Sequence, residues 1–149
     1  MNEDYAFIMM VKEKWWIKFR ERHEEGKKIH SFVTRDAAPP KSTQFILFYV
    51  TKPVGEIAGY TQFIERKVGD PQQLWKMYGS ESVLSSEEQY EEFIGSARKV
   101  SFVRFNNLSE ATNPISLNNL LMFLGIKRLS RKGFYVNKET ADKLISFMK

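Results

Sequence analysis

The hexapeptide Phe45–Val50 (FILFYV) constrains the fold of this chain more than any other segment. It is apolar at every position, so as a strand it has no side to offer to water. A strand covered on both faces, inside a layered or curled sheet, is the reading that satisfies it. Lys52-Pro53-Val54-Gly55 then supplies turn chemistry, and Glu56–Arg66 returns as the second arm of a hairpin. Gly59 within that arm predicts a bulge or the close approach of another segment.

The flanking sequence fills in the elements around this hairpin. Tyr5–Val11 (YAFIMMV) reads as a strand, and Lys12–Glu25, carrying Trp15, Trp16, Ile17 and Phe19, reads as a helix stopped by Gly26. Lys28–Arg35 alternates as a half-buried strand does, and Ala37-Ala38-Pro39-Pro40 breaks it. Asp70-Pro71 opens a short helix through Tyr78, ended by Gly79. Ser85-Ser86-Glu87-Glu88 has capping-box spacing and opens another. Val100–Phe105 is a further strand, and Asn106–Pro114 is expected to be polar, turn-rich chain. Leu117–Leu124 predicts a short helix closed by Gly125. A basic loop over Lys127–Lys132 leads into a short strand, Phe134–Val136, before a final helix capped by Asn137. The expectation is one α+β domain over residues 1–149: a small mixed β-barrel with inserted short helices and a C-terminal helix.

Composition excludes several function classes. The 149 residues include twelve Phe, six Tyr and three Trp, enough to build a core without staples. Cysteine is absent, which removes disulfides, a thiolate nucleophile and thiolate-ligated metals, and fits a cytoplasmic setting. The run Tyr5–Val11 is too short to span a membrane, and the acidic start Met1-Asn2-Glu3-Asp4 is not a signal-peptide flank. A cytoplasmic protein without a membrane partner is therefore expected. His23 and His30 are the only histidines and have no carboxylate set beside them, so neither a metal nor another cofactor is expected. There is no Gly-rich phosphate loop or dinucleotide fingerprint. The oligomeric state is not legible.

Charge is unevenly placed. Residues 12–35 carry eight Lys/Arg against four Glu, and residues 96–149 carry ten against three Asp/Glu, whereas 36–95 carry five against nine. A basic face opposite an acidic one favours a polyanionic partner. Lys127, Arg128, Arg131 and Lys132 lie beside Phe134 and Tyr135, the combination of cations for phosphate and rings for base stacking that RNA contacts use.

Several segments together resemble the PUA-like superfamily, in particular its ASCH branch. Gly26-Lys27-Lys28 followed by Arg35, then a buried strand at Phe45–Val50 and Gly59 in its return strand, is similar to the ASCH pattern. Trp75–Gly79 and Val83–Glu88 resemble an uncharacterised archaeal family of PUA-like domains, and the closing Gly133–Val136 before a helix is a third point of resemblance to the superfamily. The resemblance implies a small barrel whose cleft takes RNA or a modified nucleoside or nucleotide. In this chain Lys28, Arg35 and the 127–135 loop would border that cleft, Lys41 would extend it, and Tyr135 or Tyr60 would stack on a base. It also implies an alternative, an amidohydrolase acting on an acylated nucleoside through Lys28 and Ser31 with Glu56 or Glu65. The chain departs from the ASCH pattern by having no acidic residue across Ile29–Thr34. A third alternative is a protein-interaction module built on the acidic helix around Glu87–Glu92.

Overall fold

The computed structural model describes residues 2–149. The strands are β1 (Ala6–Val11), β2 (Ile29–Arg35), β3 (Phe45–Val50), β4 (Glu56–Gly69), β5 (Val100–Ser116) and β6 (Phe134–Val136). The helices are α1 (Glu13–Glu24), α2 (Pro71–Tyr78), α3 (Glu87–Ile94), α4 (Leu117–Leu124) and α5 (Lys138–Met148), with a 3-10 turn at Gly79–Glu81 directly after α2. The strands form one mixed sheet in the order β2-β5-β4-β3-β1-β6. β1 and β3 run parallel; the other neighbours are antiparallel.

The expected barrel is an open sheet, since no ladder joins β2 to β1 or β6. The long pair β4–β5 bends through three register shifts, and another lies opposite Gly59 between β3 and β4. Bulges of this kind increase local twist and curl a sheet. Phe48 of β3 and Phe105 of β5 consequently meet at 5.3 Å between ring centroids although β4 separates their strands. Helix α1 plugs the concave side, where Trp16 and Phe19 join Phe7, Met9, Phe48 and Phe105. The opposite face buries Ile8, Leu47 and Ile57 against Leu120 of α4 and Leu144 and Met148 of α5. Phe45–Val50 is apolar throughout because β3 is sandwiched between these two cores.

The expected turn-rich segment Asn106–Pro114 is instead the second half of β5, which keeps pairing with β4 as far as Glu56–Ser116. Its inward residues are Leu108 and Ile115, too few to register as a strand pattern, and Asn107 at φ 54° marks a break in regular geometry. Helices α2 and α3 form the predicted insert, capped by Asp70 and Ser86. They cover Val33, Val100 and Phe102, with Trp75 stacked on Tyr90 at 4.6 Å. The tryptophans thus serve packing, Trp16 inside and Trp15 and Trp75 at the margins.

Candidate nucleic-acid interface

The basic loop is held over an incomplete sheet edge. Helix α4 ends at Gly125, left-handed at φ 69°, and the chain passes through Lys127–Lys132 into β6. Strand β6 pairs only with Ala6, Phe7 and Ile8, leaving the outer edge of Met9–Val11 without a strand partner. Gly133 brings the loop down onto β1. Its φ is +77°, and a Cβ there would stand 2.5 Å from the Ile8 carbonyl oxygen and 2.6 Å from the Phe7 ring.

Two grooves flank this edge. The first, about 470 Å³, occupies the gap where the sheet fails to close: Phe7 and Met9 of β1 form one wall, and Phe32 and Thr34 of β2 the other. Arg35, Asp36, Arg131 and Lys132 also line it. The second, about 340 Å³, runs between Tyr49, Thr51 and Lys52 on one side and Leu117 and Leu121 of α4 on the other, under Lys127, Arg128 and Ser130. Met10 and Arg131 line both grooves. Asp36 is the only acidic residue in either lining, against Arg35, Lys52, Lys127, Arg128, Arg131 and Lys132.

The structure thus brings together Arg35, Lys127, Arg128, Arg131 and Lys132 from the sequence-derived set, and leaves others apart. Arg35 is partly committed: its Nε and Nη2 donate to the Phe93 carbonyl at 3.2 and 2.9 Å. Tyr135 sets its ring edge-on to Phe7 at 5.0 Å, and its hydroxyl accepts the Lys41 backbone N–H at 2.9 Å. That ring is packing, not a free stacking surface. Tyr60 packs in the core beneath α4 and α5, and Lys28 and Lys41 line neither groove. The grooves are also lined by Tyr49, Lys52, Ser130, Thr34 and Asp36, which the sequence reading did not single out. The available signal was a tyrosine next to the end of an otherwise hydrocarbon strand, three residues before Lys52. Burial raises the Tyr49 phenol above its usual range, so it remains a protonated donor at neutral pH.

A second constellation lies across β2, β5 and β4, where strand register aligns Ser31, Arg104 and Glu65 in one row. Arg104 donates Nε and Nη2 to the two oxygens of Glu81 at 2.9 and 2.8 Å, and Nη1 to Glu65 at 2.6 Å. Its guanidinium lies 4.5 Å over the Tyr78 ring. Ser31 donates its hydroxyl proton to Glu81 at 2.8 Å. The Arg104 hydrogen bond holds the Glu65 carboxyl below the usual range, and the Glu81 carboxylate raises Arg104 further.

The set Lys28, Ser31, Glu56 and Glu65 does not converge into a hydrolytic centre. Lys28 is exposed and makes no side-chain hydrogen bond or ion pair among the described residues. Glu56 lies nine positions from Glu65 along β4, roughly 30 Å in a regular strand. The carboxylate that meets Ser31 is Glu81, already engaged by Arg104. The cavity beside Ser31 is about 20 Å³, room for one water but not a nucleoside. His30 Nε2 and His23 Nδ1 are 3.4 Å apart, and among the described residues no three His, Cys, Asp or Glu side chains gather as metal ligands. Among the described residues no helix is long and apolar enough to cross a membrane.

No family model matches the sequence. An ASCH domain-containing ribonuclease of Zymomonas mobilis is 28% identical over 131 residues, covering 88% of this chain and 86% of the relative. Among solved structures, ASCH of Zymomonas mobilis matches with a TM-score of 0.78 at 21% identity over 99% of this chain and 98% of that one. A serine-to-alanine variant of the same protein matches with a TM-score of 0.78 over the whole of both chains, and a tyrosine-to-phenylalanine variant with 0.77. These sequence and structural neighbours are ASCH-domain proteins, and the α+β architecture described above is the ASCH fold.

Proposed function

We propose that this chain binds single-stranded RNA along the two grooves, with the backbone crossing the β1 edge under the 127–132 loop. The observation that carries the reading is that Arg131 and Met10 belong to both grooves. One cation at the junction can hold a phosphate while the nucleotides on either side enter separate grooves. The ASCH-domain ribonuclease relative supports RNA as the polyanion. A cysteine-free chain fits the cytoplasm, and the kinship with the archaeal PUA-like domains rests on the Trp75–Gly79 and Val83–Glu88 stretches. Fluorescence anisotropy with a labelled RNA hexamer tests the reading. Affinity should fall steeply between low and physiological salt, with a slope of about −0.7 per phosphate contacted. Absence of binding at low salt, or equal binding by an Arg128→Ala/Arg131→Ala/Lys132→Ala variant, would count decisively against it.

A second reading adds strand cleavage in the groove of Tyr49, Lys52 and Ser130. The two crystallised Zymomonas variants alter a tyrosine in the first third of their chain and a serine near its C-terminal end. Tyr49 and Ser130 fall in that order in one groove, whereas Ser31 and Tyr78 of the Arg104 constellation fall in the reverse order. The 2′-hydroxyl of the bound strand would lose its proton to water, and its oxygen would attack the adjacent phosphorus and displace the 5′-oxygen, which leaves as a hydroxyl. In this reading the protonated Tyr49 phenol would give its proton to the leaving 5′-oxygen, and Lys52 and Arg128 would offset the charge that develops. End-labelled RNA incubated with the native protein should yield cyclic-phosphate fragments, and Tyr49→Phe should stop their appearance while binding persists. Intact RNA after prolonged incubation would limit the function to binding.

A further inference from the structure

The groove between β1 and β2 has the features of a pocket for one base, beyond those needed to hold a backbone. Its volume of about 470 Å³ lies in the range of small-molecule sites. Its walls are apolar and aromatic, Phe7 and Met9 facing Phe32 across strands that share no ladder, so a base entering the groove would meet hydrocarbon and ring edges at its floor. Its cations are Arg131 and Lys132 from the loop and Arg35 from the end of β2, the last partly committed to the Phe93 carbonyl.

Asp36, exposed at the groove's rim, supplies an acceptor. It is the one carboxylate in the lining, yet its side chain makes no ion pair or hydrogen bond among the described residues. The backbone fixes its place: φ is 60°, the Asp36 N–H donates to the Lys99 carbonyl at 3.1 Å, and the Asp36 carbonyl accepts from the Ser101 hydroxyl. A phosphate-binding trough has no electrostatic use for an anion, so this carboxylate weakens backbone binding unless it accepts hydrogen bonds from the base. Two residues earlier, Thr34 also lines the groove, and its hydroxyl is buried without a partner among the described residues.

We propose that this pocket selects guanine. A carboxylate accepts two parallel hydrogen bonds best, and guanine alone among the RNA bases presents two adjacent donors, N1–H and the 2-amino group, on its Watson–Crick edge. Cytosine and adenine offer a carboxylate one amino group each. Uracil offers a single ring N–H between two carbonyl oxygens that a carboxylate repels. The guanine O6 would then face the Thr34 hydroxyl, and the flanking phosphate Arg131. This rests on the RNA-binding reading above and adds a base preference to it.

Titrations of labelled hexauridylate, and of the same hexamer with one central guanosine, test the proposal. The guanosine hexamer should bind about tenfold more tightly, and an inosine hexamer, lacking the 2-amino group, should recover only part of that gain. In D36N the guanosine-to-uridine ratio should fall to about one. Asparagine takes the left-handed backbone region as readily as aspartate, so the variant retains the turn. Equal affinity of both hexamers for the native protein, or a ratio unchanged in D36N, overturns the pocket assignment and leaves RNA binding intact. If neither hexamer binds at low salt, the RNA reading falls, and the pocket assignment with it.

Discussion

Arg104 of β5 and Glu81 of the 3-10 turn face each other through two nearly parallel hydrogen bonds, at 2.9 and 2.8 Å, with both side chains 16% exposed. The pair ties the α2–α3 insert to the middle of the sheet, and Ser31 and Glu65 complete the hydrogen bonding on either side. Removing one member of a largely buried pair leaves the other charge without compensation. Arg104→Ala should lower unfolding stability by about 3 kcal/mol. Arg104→Lys, which keeps the charge but loses the fork geometry, should cost less. Urea denaturation measures both, and a loss under about 0.5 kcal/mol for the alanine variant would show the pair to be worth no more than a surface contact.

His30 should set the acid limit of stability. It is fully buried between Phe19 and Phe105, and its ring faces His23, Arg22 and Glu81. Burial, followed by the nearby His23 and Arg22, lowers its pKa from 6.5 to about 4. Between these values the unfolded chain binds a proton that the folded chain does not. The stabilising contribution is therefore full above pH 6.5 and is lost as pH falls toward 4, amounting to roughly 3 kcal/mol. A His30→Phe variant should show a flatter melting-temperature profile over that window. A profile parallel to that of the native protein would assign the acid sensitivity to other groups.

Much of the fold was legible because its local signals are strong and agree. Asp70-Pro71, Ser86, Gly125 and Asn137 mark helix ends by backbone chemistry that does not depend on distant contacts. The second half of β5 was hidden because its strand geometry is enforced by β4, with Leu108 and Ile115 alone buried in its last nine residues. Closure of the sheet was equally illegible, since it depends on whether β1 and β2 meet, and the gap between them became a groove. In the site, the cations from Lys127 to Lys132 were visible as a cluster. Lys52, Tyr49 and Asp36 were not, because each joins the grooves only through the curl of the sheet. The surroundings of Tyr135 were hidden for a related reason: its neighbours along the chain are basic, but its ring packs edge-on to Phe7.

Gly59 sits at register shifts of β4 with both neighbouring strands. A Cβ at this position would stand 2.5 Å from the Ser109 carbonyl oxygen and 2.6 Å from the Trp16 ring, and neither neighbour is the loose end of a flexible side chain. Gly59→Ala should therefore cost about 3 kcal/mol, at the upper end of overpacking changes. Thermal melts check the loss, and the tryptophan emission spectrum should shift as Trp16 is displaced. A variant as stable as the native chain would mean that the sheet can flatten here without cost.

Arg131 should contribute more to RNA affinity than either basic neighbour, because it alone among the cations lines both grooves. Arg128 serves only the second groove and Lys132 only the first, so each substitution to alanine should weaken hexamer binding through contacts on one side. Arg131→Ala removes the phosphate contact at the crossing and also uncouples the two halves of the strand, which lowers the effective concentration of one half for its groove. Its loss should exceed that of either neighbour by about tenfold for a hexamer, while a dinucleotide, too short to reach across, should discriminate little among the three variants. The slope of log affinity against log salt should become shallower by about 0.7 in each case, since each removes one phosphate contact. Equal losses for all three variants with the hexamer would mean that the two grooves bind RNA independently and that no strand passes between them.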